Sequence, residues 1–295
     1  RYAILHLIQE QPKPDEKRRH MERLFLCPIC SAPLRRGERT YTCPSGHSYD
    51  IAREGYVHLL PPNRKHSKSP GDDKAMVAAR NRFLSAGYYA PLQEELERLA
   101  LRYAPSGRTV LVDSGCGEGY YTAGAASALR ASGRDVAVAG VDISKFALRY
   151  AARREPAGEF AVASAYHLPL PGQCAHLLLN CFSPMAAEEF SRVLRPGGVL
   201  LYVVPAPQHL WELKEVLYDA PYPNPDEQIP YEGFALLEVC PVEALLRIGH
   251  PEDLRALFQM TPYVWNTPRA GVARMEALSH LEVRAAFRVH VFRRE

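Results

Sequence analysis

The sequence contains no uninterrupted apolar run of about 18 residues, the length that would predict a membrane-spanning helix. Its first residues also lack a basic segment followed by a long apolar stretch, so no secretory signal is expected. Only seven cysteines are present, and four of them are scattered at Cys116, Cys174, Cys181 and Cys240. This pattern excludes a disulfide framework and predicts a cytoplasmic protein with free thiols and no contact with a membrane.

The chain also has little net charge, only +3, but that charge is unevenly distributed. Residues 1–90 carry 16 basic and 9 acidic side chains, whereas the rest of the chain carries 20 basic and 24 acidic ones. A basic N-terminal part on a mildly acidic body predicts contact with a polyanion. A basic surface that contacts only solvent is an equally good interpretation from charge alone.

The other three cysteines and one histidine form a compact pattern, with Cys27 and Cys30 followed after twelve residues by Cys43 and His47. Each half places two soft ligands on one tight turn, and two such turns facing each other give the tetrahedral set that structural Zn²⁺ prefers. The residues between the halves predict a short β-hairpin. Four protein ligands leave no open coordination position, so a structural rather than a catalytic zinc ion is expected.

The composition predicts a division of the chain into four segments. Residues 1–24 are interpreted as an extension or a misassigned start that need not be native, with Met21 as an alternative first residue. Residues 25–62 form the predicted zinc module, 63–74 a basic linker, and 75–295 the main domain. Six cations in or near the first three segments are candidates for contact with RNA phosphates: Arg53, Arg64, Lys65, Lys68, Arg80 and Arg82.

From Ala75 onward, helical and extended patterns alternate. Helices are predicted over 75–86, 90–103, 120–131, 144–154 and 186–193, and strands over 109–113, 136–142, 160–163, 176–180 and 199–204. Two further β stretches, 281–286 and 288–293, are predicted as edge strands. Such alternation indicates an α/β fold with a mostly parallel, doubly wound sheet.

A glycine-rich loop, Gly115-Cys116-Gly117-Glu118-Gly119, follows the first of these strands, which ends at Asp113. Glycine there allows the backbone to approach a ligand closely. The spacing differs from the dinucleotide fingerprint, because the third glycine comes one residue early. A carboxylate beside the loop would repel pyrophosphate but suits a cationic ligand such as S-adenosylmethionine, so Asp113 and Glu118 are predicted to face its positive end. A structural turn flanked by solvated acids is the alternative.

Two later positions complete the predicted cofactor site. Asp142 ends the second strand, where a carboxylate can accept hydrogen bonds from both ribose hydroxyls. Its alternative role is to cap the following helix, for which Ser144 is better placed. Ser164 follows the third strand, where the edge of an adenine would be contacted.

These features together resemble the class I, Rossmann-like methyltransferases, and the match extends to the bacterial 23S rRNA (guanine-N1)-methyltransferases of the RlmA/TlrB type. The resemblance covers about residues 25–295. Besides the zinc ligands and the glycine loop, it lies in the segments Glu54–Pro61, Ser69–Asp72, Ala79–Tyr89 and Pro205–Leu213.

The resemblance implies transfer of a methyl group from S-adenosylmethionine to N1 of a guanine in a hairpin loop of 23S rRNA, with the zinc module helping to bind RNA. It also implies that Tyr89, Gly117, Glu118 and His209 contact the cofactor. No residue is identified as the base that removes the N1 proton. Phe182 and Trp265 are candidates for stacking on the target base, or else ordinary core aromatics. A homodimer is a possible assembly.

Two other functions compete with this hypothesis. The chain could methylate a small molecule or a protein, with the zinc module acting as a lid; the basic N-terminal part argues against this. It could instead be a non-catalytic RNA-binding protein that holds the cofactor structurally, which the intact glycine loop and Asp142 disfavour.

Overall fold

A computed structural model of the chain describes residues 24–61, 71–226 and 230–295. A small three-stranded sheet precedes a large eight-stranded sheet flanked by helices. The strands are β1 (Arg35–Arg36), β2 (Thr40–Thr42), β3 (Ser48–Asp50), β4 (Tyr56–His58), β5 (Arg108–Ser114), β6 (Asp135–Asp142), β7 (Glu159–Val162), β8 (Ala175–Cys181), β9 (Leu194–Pro205), β10 (Phe234–Ile248) and β11 (Leu281–Arg294). The helices are α1 (Lys74–Ser85), α2 (Ala90–Tyr103), α3 (Tyr120–Ala131), α4 (Lys145–Arg154), α5 (Ala187–Val193), α6 (Trp211–Leu217), α7 (Pro251–Gln259), α8 (Tyr263–Asn266) and α9 (Arg269–Glu276).

The large sheet has the strand order β10-β11-β9-β8-β5-β6-β7-β4. Strands β4 to β9 within it are parallel to one another, and β11 is antiparallel to both of its neighbours. The order reverses between β5 and β8, and in a doubly wound sheet a ligand cleft forms outside the carboxyl ends of the strands at such a point. The predicted α/β fold is confirmed, and the glycine loop lies at this reversal.

The end of the chain differs from the prediction. Residues 281–294 form one continuous strand, β11, which lies inside the sheet between β9 and β10 rather than at its edge. The strand that forms the edge at this end of the sheet is β10, which was not predicted. It contains Pro241 and exposes Leu236 and Leu245 to solvent, so its sequence lacks the regular alternation of a half-buried strand.

The zinc-binding segment is continuous with the main domain. Strand β4 pairs in parallel with β7 as the last strand of the large sheet. The amide of Leu26 donates to the carbonyl of Pro169, and the buried side chains of Phe25, Leu34 and Tyr41 belong to the same apolar core as one face of that sheet. The last strand of the predicted zinc module, residues 25–62, is therefore also a strand of the large sheet, and the boundary at residue 62 stays a prediction.

Several predictions concern residues beyond the described part of the chain. The predicted extension lies outside it except for Leu24, which is buried in the core shared with the zinc-binding segment. Arg64, Lys65 and Lys68, with most of the predicted linker, also lie outside the described residues. Among the helices that the structure does describe, none combines the length and apolar character needed to cross a bilayer.

Candidate active site and zinc centre

The four predicted metal ligands lie together at one end of the small sheet. Their ligand atoms all lie within 4.8 Å of one another. The Cys43 Sγ–His47 Nδ1 distance is 3.2 Å, and the Cys30 Sγ–Cys43 Sγ and Cys27 Sγ–His47 Nδ1 distances are both 3.6 Å. Standard Zn–S and Zn–N lengths make the edges of a ligand tetrahedron about 3.5–3.8 Å, so this set fits a zinc ion.

Local backbone geometry brings the ligands to these positions. In the first turn the Ser31 amide donates to the carbonyl of Cys27, and in the second the Gly46 amide donates to that of Cys43. Gly46 has a φ of +84°, which the second turn requires. Hydrogen bonds led by that from the Ala32 backbone lower the pKa of Cys30 to about 7, which favours the metal-binding thiolate. The Tyr49 Oη lies 3.1 Å from the Cys27 Sγ, where it can donate to a thiolate.

The glycine-rich loop between β5 and α3 adopts the conformation that its sequence predicts. Gly115, Gly117 and Gly119 all have positive φ values, of +78°, +54° and +83°. A Cβ on Gly115 would lie 2.2 Å from the Ser183 Oγ, and one on Gly119 would lie 2.8 Å from the Ala151 Cα. A Cβ on Gly117 would meet no atom within 4 Å, so this glycine borders open space on the cleft side.

Asp113 lies at the base of the cleft, at the end of β5. It is buried, and its Oδ2 accepts a hydrogen bond from the Thr122 hydroxyl at 2.5 Å. Its Oδ1 has no hydrogen-bond partner among the described residues. Burial raises the pKa of Asp113 to about 7, and the nearby Asp142 adds to this effect. A buried carboxylate with a free oxygen is suited to a ligand that brings positive charge or N–H donors.

Asp142 holds the glycine loop in place. Its Oδ2 accepts from the Gly117 amide at 2.8 Å, and its Oδ1 accepts from the Ser144 amide at 2.7 Å. The hydroxyl of Ser144, not Asp142, caps α4 by accepting from the Ala147 amide. Burial raises the pKa of Asp142, although the two amides oppose the rise. Each carboxylate oxygen retains a lone pair that could accept from a ribose hydroxyl. The ribose contact itself stays a prediction.

The carboxylate of Glu118 is not a free charge beside the cleft, because it is paired with Arg154. Its buried Oε2 accepts from Arg154 Nη2 at 2.7 Å and Nε at 3.1 Å, and from the Asn81 amide group at 3.0 Å. Its Oε1 has no hydrogen-bond partner among the described residues. Arg154 therefore compensates the charge, and Glu118 has one oxygen left to accept a hydrogen bond. Arg154 was not predicted, because no local pattern pairs the end of α4 with this loop.

Tyr89 and His209, distant in sequence, meet on the far side of the cleft. The Ala286 amide donates to His209 Nδ1 at 3.1 Å, so the ring proton lies on Nε2, which is 3.5 Å from the Tyr89 hydroxyl. Burial lowers the pKa of His209 to about 3 and keeps the ring neutral. The tyrosine oxygen can accept from Nε2, which leaves its own proton free to donate into the cleft.

These elements surround a cleft of about 650 Å³. Seven of the predicted cofactor residues line it: Tyr89, Asp113, Gly115, Gly117, Glu118, Asp142 and His209. Ser164 does not; its hydroxyl instead accepts from the Tyr166 amide. The lining also includes Tyr121, Cys181 and Tyr263, which were not predicted. Tyr121 immediately follows the loop in the first turn of α3, and that position is the only sequence signal for it.

The predicted RNA-contacting arginines have different environments. Arg53 is 89% exposed and lies 3.7 Å from Glu54. Arg80 instead lines the cleft and pairs with Asp72, and Arg82 pairs with Asp253 at 2.7 Å. The charges of these last two side chains are compensated within the protein, so the structure does not present either of them as a free contact for phosphate.

The strand order, the glycine loop at the reversal point and the unpaired carboxylate oxygens define a class I methyltransferase that uses S-adenosylmethionine. The cluster of three cysteines and one histidine adds a structural zinc ribbon. A family model described as "RlmA, N-terminal" matches residues 25–68, and one described as "Methyltransferase domain" matches residues 111–198.

Known relatives extend this assignment. The chain is 42% identical over 202 residues to the 23S rRNA (guanine(748)-N(1))-methyltransferase of Streptomyces fradiae, covering 68% of this chain and 70% of that protein. It is 35% identical to a protein of Micromonospora griseorubida provisionally named 23S rRNA (guanine-N(1)-)-methyltransferase, covering 90% and 96% of the two chains. A Bacillus subtilis protein with a similar provisional name is 28% identical, with 88% and 93% covered. The chain belongs to the 23S rRNA (guanine-N1)-methyltransferase family.

Proposed function

We propose that this protein transfers a methyl group from S-adenosylmethionine to N1 of a guanine in a hairpin loop of 23S rRNA, in the cytoplasm. One combination carries the proposal. The cleft has unpaired carboxylate oxygens at Asp113 and Glu118, which suit a cationic methyl donor. The sheet that carries this cleft shares an apolar core with the zinc ribbon, which matches the model of an rRNA-modifying family.

The cofactor supplies a methyl group already activated by its sulfonium, so the protein contributes mainly by positioning. We assign Gly117 and its neighbours to the close backbone approach, and Asp142 to the ribose. Asp113, Glu118 and the Tyr89 hydroxyl surround the remaining polar groups of the ligand. The target base must leave its stack to reach this cleft, and bases in single-stranded loops do so at the lowest cost.

The zinc ribbon offers cations for the RNA backbone. Arg35 and Arg39 are exposed on it and have no ion pair among the described residues, and Arg53 is exposed nearby. With Arg64, Lys65 and Lys68, whose placement the structure does not describe, they are proposed to contact phosphates. The shared core argues against the competing hypothesis of a mobile zinc lid over a small-molecule site. A homodimer stays a prediction.

The decisive experiment supplies the zinc-loaded protein with tritiated S-adenosylmethionine and offers three acceptors: fragments of 23S rRNA, a protein extract and a small-molecule extract. We expect label in the RNA. Primer extension on the product should then stop at one guanine, because N1 methylation blocks Watson–Crick pairing, and the stop assigns the position. Label confined to protein or to small molecules would overturn the proposal.

A matched pair of variants separates catalysis from binding. Gly117→Arg places a long side chain in the cleft, whereas Gly133→Arg places it at an exposed turn with a similarly positive φ of +85°. We expect the first variant to lose methyl transfer while still binding RNA, and the second to retain both. Transfer retained in Gly117→Arg would show that methylation does not depend on this cleft, and a wild-type protein that binds RNA without transferring a methyl group would favour a non-catalytic RNA-binding role.

A further inference from the structure

Four aromatic side chains of the described residues are strongly exposed, and all but Tyr166 lie in or within two residues of the lining of the cleft. Phe182, at the carboxyl end of β8, is 47% exposed and lines the cleft itself. Trp265 is 67% exposed on α8, two residues beyond the lining residue Tyr263. Tyr222 is 60% exposed, two residues before the lining residue Asn224. Because all three are exposed, they are not core aromatics.

The backbone holds Phe182 in a specific position. Its φ is +56°, in the left-handed region that a residue with a bulky side chain rarely adopts. Its amide donates to the Val203 carbonyl at 3.1 Å. The next residue, Ser183, packs against the glycine loop at Gly115. The ring neighbours those of Phe287 and Tyr121, with centroid distances of 5.6 Å and 6.4 Å. A strained backbone that presents a half-exposed ring beside a cofactor site indicates a functional constraint.

Trp265 and Tyr222 belong to two segments that border the cleft through Tyr263 and Asn224. Lys214 contacts both segments. Its Nζ donates to the Tyr222 carbonyl at 2.8 Å and lies 5.0 Å from the Tyr222 ring and 5.5 Å from the Tyr263 ring. Arg269, four residues after Trp265, is exposed and has no ion pair among the described residues. These segments therefore carry exposed aromatic side chains and, four residues after Trp265, an exposed cation without an ion pair among the described residues.

We propose that the cleft mouth binds an unpaired strand of RNA by stacking, with Phe182 against the target base and Trp265 against a neighbouring base. The inference rests on the proposed function. Aromatic faces stack on bases of any sequence, and a nearby guanidinium can pair with the connecting phosphate. Phe182 is thus a residue that positions the substrate, and the chemistry of the mouth selects single-stranded over paired RNA.

The test measures binding of a synthetic hairpin RNA, whose loop contains the guanine located by primer extension, to the zinc-loaded protein with saturating S-adenosylhomocysteine. We expect Phe182→Leu and Trp265→Ala each to raise the Kd between about 5-fold and 150-fold. Phe182→Tyr should restore binding. Leu245→Ala, which truncates an exposed apolar side chain on the edge strand β10, is the matched control and should change Kd less than about twofold.

Two further readouts separate stacking from a structural role. Affinity for S-adenosylhomocysteine should be unchanged in Phe182→Leu, while kcat/KM for RNA falls. When a complementary strand closes the loop into a duplex, wild type and variant should bind it equally. Unchanged hairpin binding and unchanged kcat/KM in both aromatic variants would overturn the stacking proposal while leaving the proposed function intact. A wild-type protein that neither binds nor methylates any 23S rRNA fragment would overturn both.

Discussion

Arg154 donates two hydrogen bonds, from Nε and Nη2, to the same oxygen of the buried Glu118. The contact joins the last turn of α4 to the cofactor loop, 36 residues apart in sequence. It leaves Glu118 Oε1 as the only carboxylate atom of that residue without a partner among the described residues. Arg154 thus compensates the charge of Glu118 and, with Asn81, orients the free oxygen.

Arg154→Gln should destabilise the protein, because it leaves a buried carboxylate with an amide as its only strong donor. Arg154 keeps a side-chain exposure of 26%, so solvent screens part of the effect, and we expect a loss of about 1–3 kcal/mol in the free energy of unfolding. Urea denaturation at neutral pH measures it. The neighbouring Arg153, 60% exposed and 3.5 Å from Glu54, gives the control Arg153→Gln, which should cost less than about 0.5 kcal/mol. Equal losses would show that the Glu118 contact has no special role.

Asp113→Asn should stabilise the cofactor-free protein at alkaline pH. The pKa of Asp113 is raised to about 7 in the folded chain, whereas an unfolded aspartate titrates near ~3.9. The folded state therefore binds the proton more tightly. The stability that this tighter proton binding contributes is fully present below pH ~4 and is lost as the pH rises through about 7. Removing the charge should recover up to about 4 kcal/mol at pH 8 and almost nothing near pH 4.

The same substitution should weaken the binding of S-adenosylhomocysteine, since a neutral amide offers less to a cationic amino group. Denaturation curves at pH 8 and pH 4, with calorimetric titration of the ligand, measure both effects. Asp135→Asn, at the exposed start of β6, is the control and should change neither. A stability difference independent of pH would contradict the placement of Asp113 as a buried titrating group.

Local sequence patterns predicted much of the fold and the site. Helix α3 has the predicted bounds, residues 120–131, because a glycine-rich turn precedes it and small residues fill its buried face. The zinc ligands Cys27, Cys30, Cys43 and His47 were identified by spacing alone, since metal geometry restricts which spacings work.

What the sequence could not show depends on contacts between distant segments. The insertion of β11 between β9 and β10 is decided by pairing in the sheet, and no local pattern encodes it. The compensation of Glu118 by Arg154 and the pairing of Arg82 with Asp253 are likewise long-range, so a count of charges along the sequence could not show them. Exposure of Phe182 and Trp265 was undetermined for the same reason.

Removal of zinc should destabilise the whole protein rather than the ribbon alone. Phe25, Leu34 and Tyr41 share a core with the large sheet, and β4 covers the edge of β7. Loss of the metal would unfold the ribbon and expose that core, so we expect one cooperative thermal transition with a Tm lower by roughly 10 °C or more.

Thermal denaturation with and without a chelator tests this expectation. Cys43→Ser should reproduce the effect of the chelator, while Cys174→Ser, at a cysteine outside the metal site, should not. A separate low-temperature transition, with an unchanged main transition and unchanged binding of S-adenosylhomocysteine, would show instead that the ribbon is an independent unit.

The last prediction compares a glycine beside the cleft with a glycine at an exposed turn. Gly117 and Gly133 both have positive φ, of +54° and +85°, and a Cβ on either would meet no atom within 4 Å. Alanine at either position should therefore cost a similar amount of stability, about 1 kcal/mol, because only the backbone preference changes. A methyl group on Gly117, however, enters the cleft where the cofactor must approach the backbone. We expect Gly117→Ala to weaken S-adenosylhomocysteine binding at least tenfold in calorimetric titration and Gly133→Ala to leave it unchanged. If both variants bind the ligand as wild type does, the cofactor does not approach the loop at Gly117.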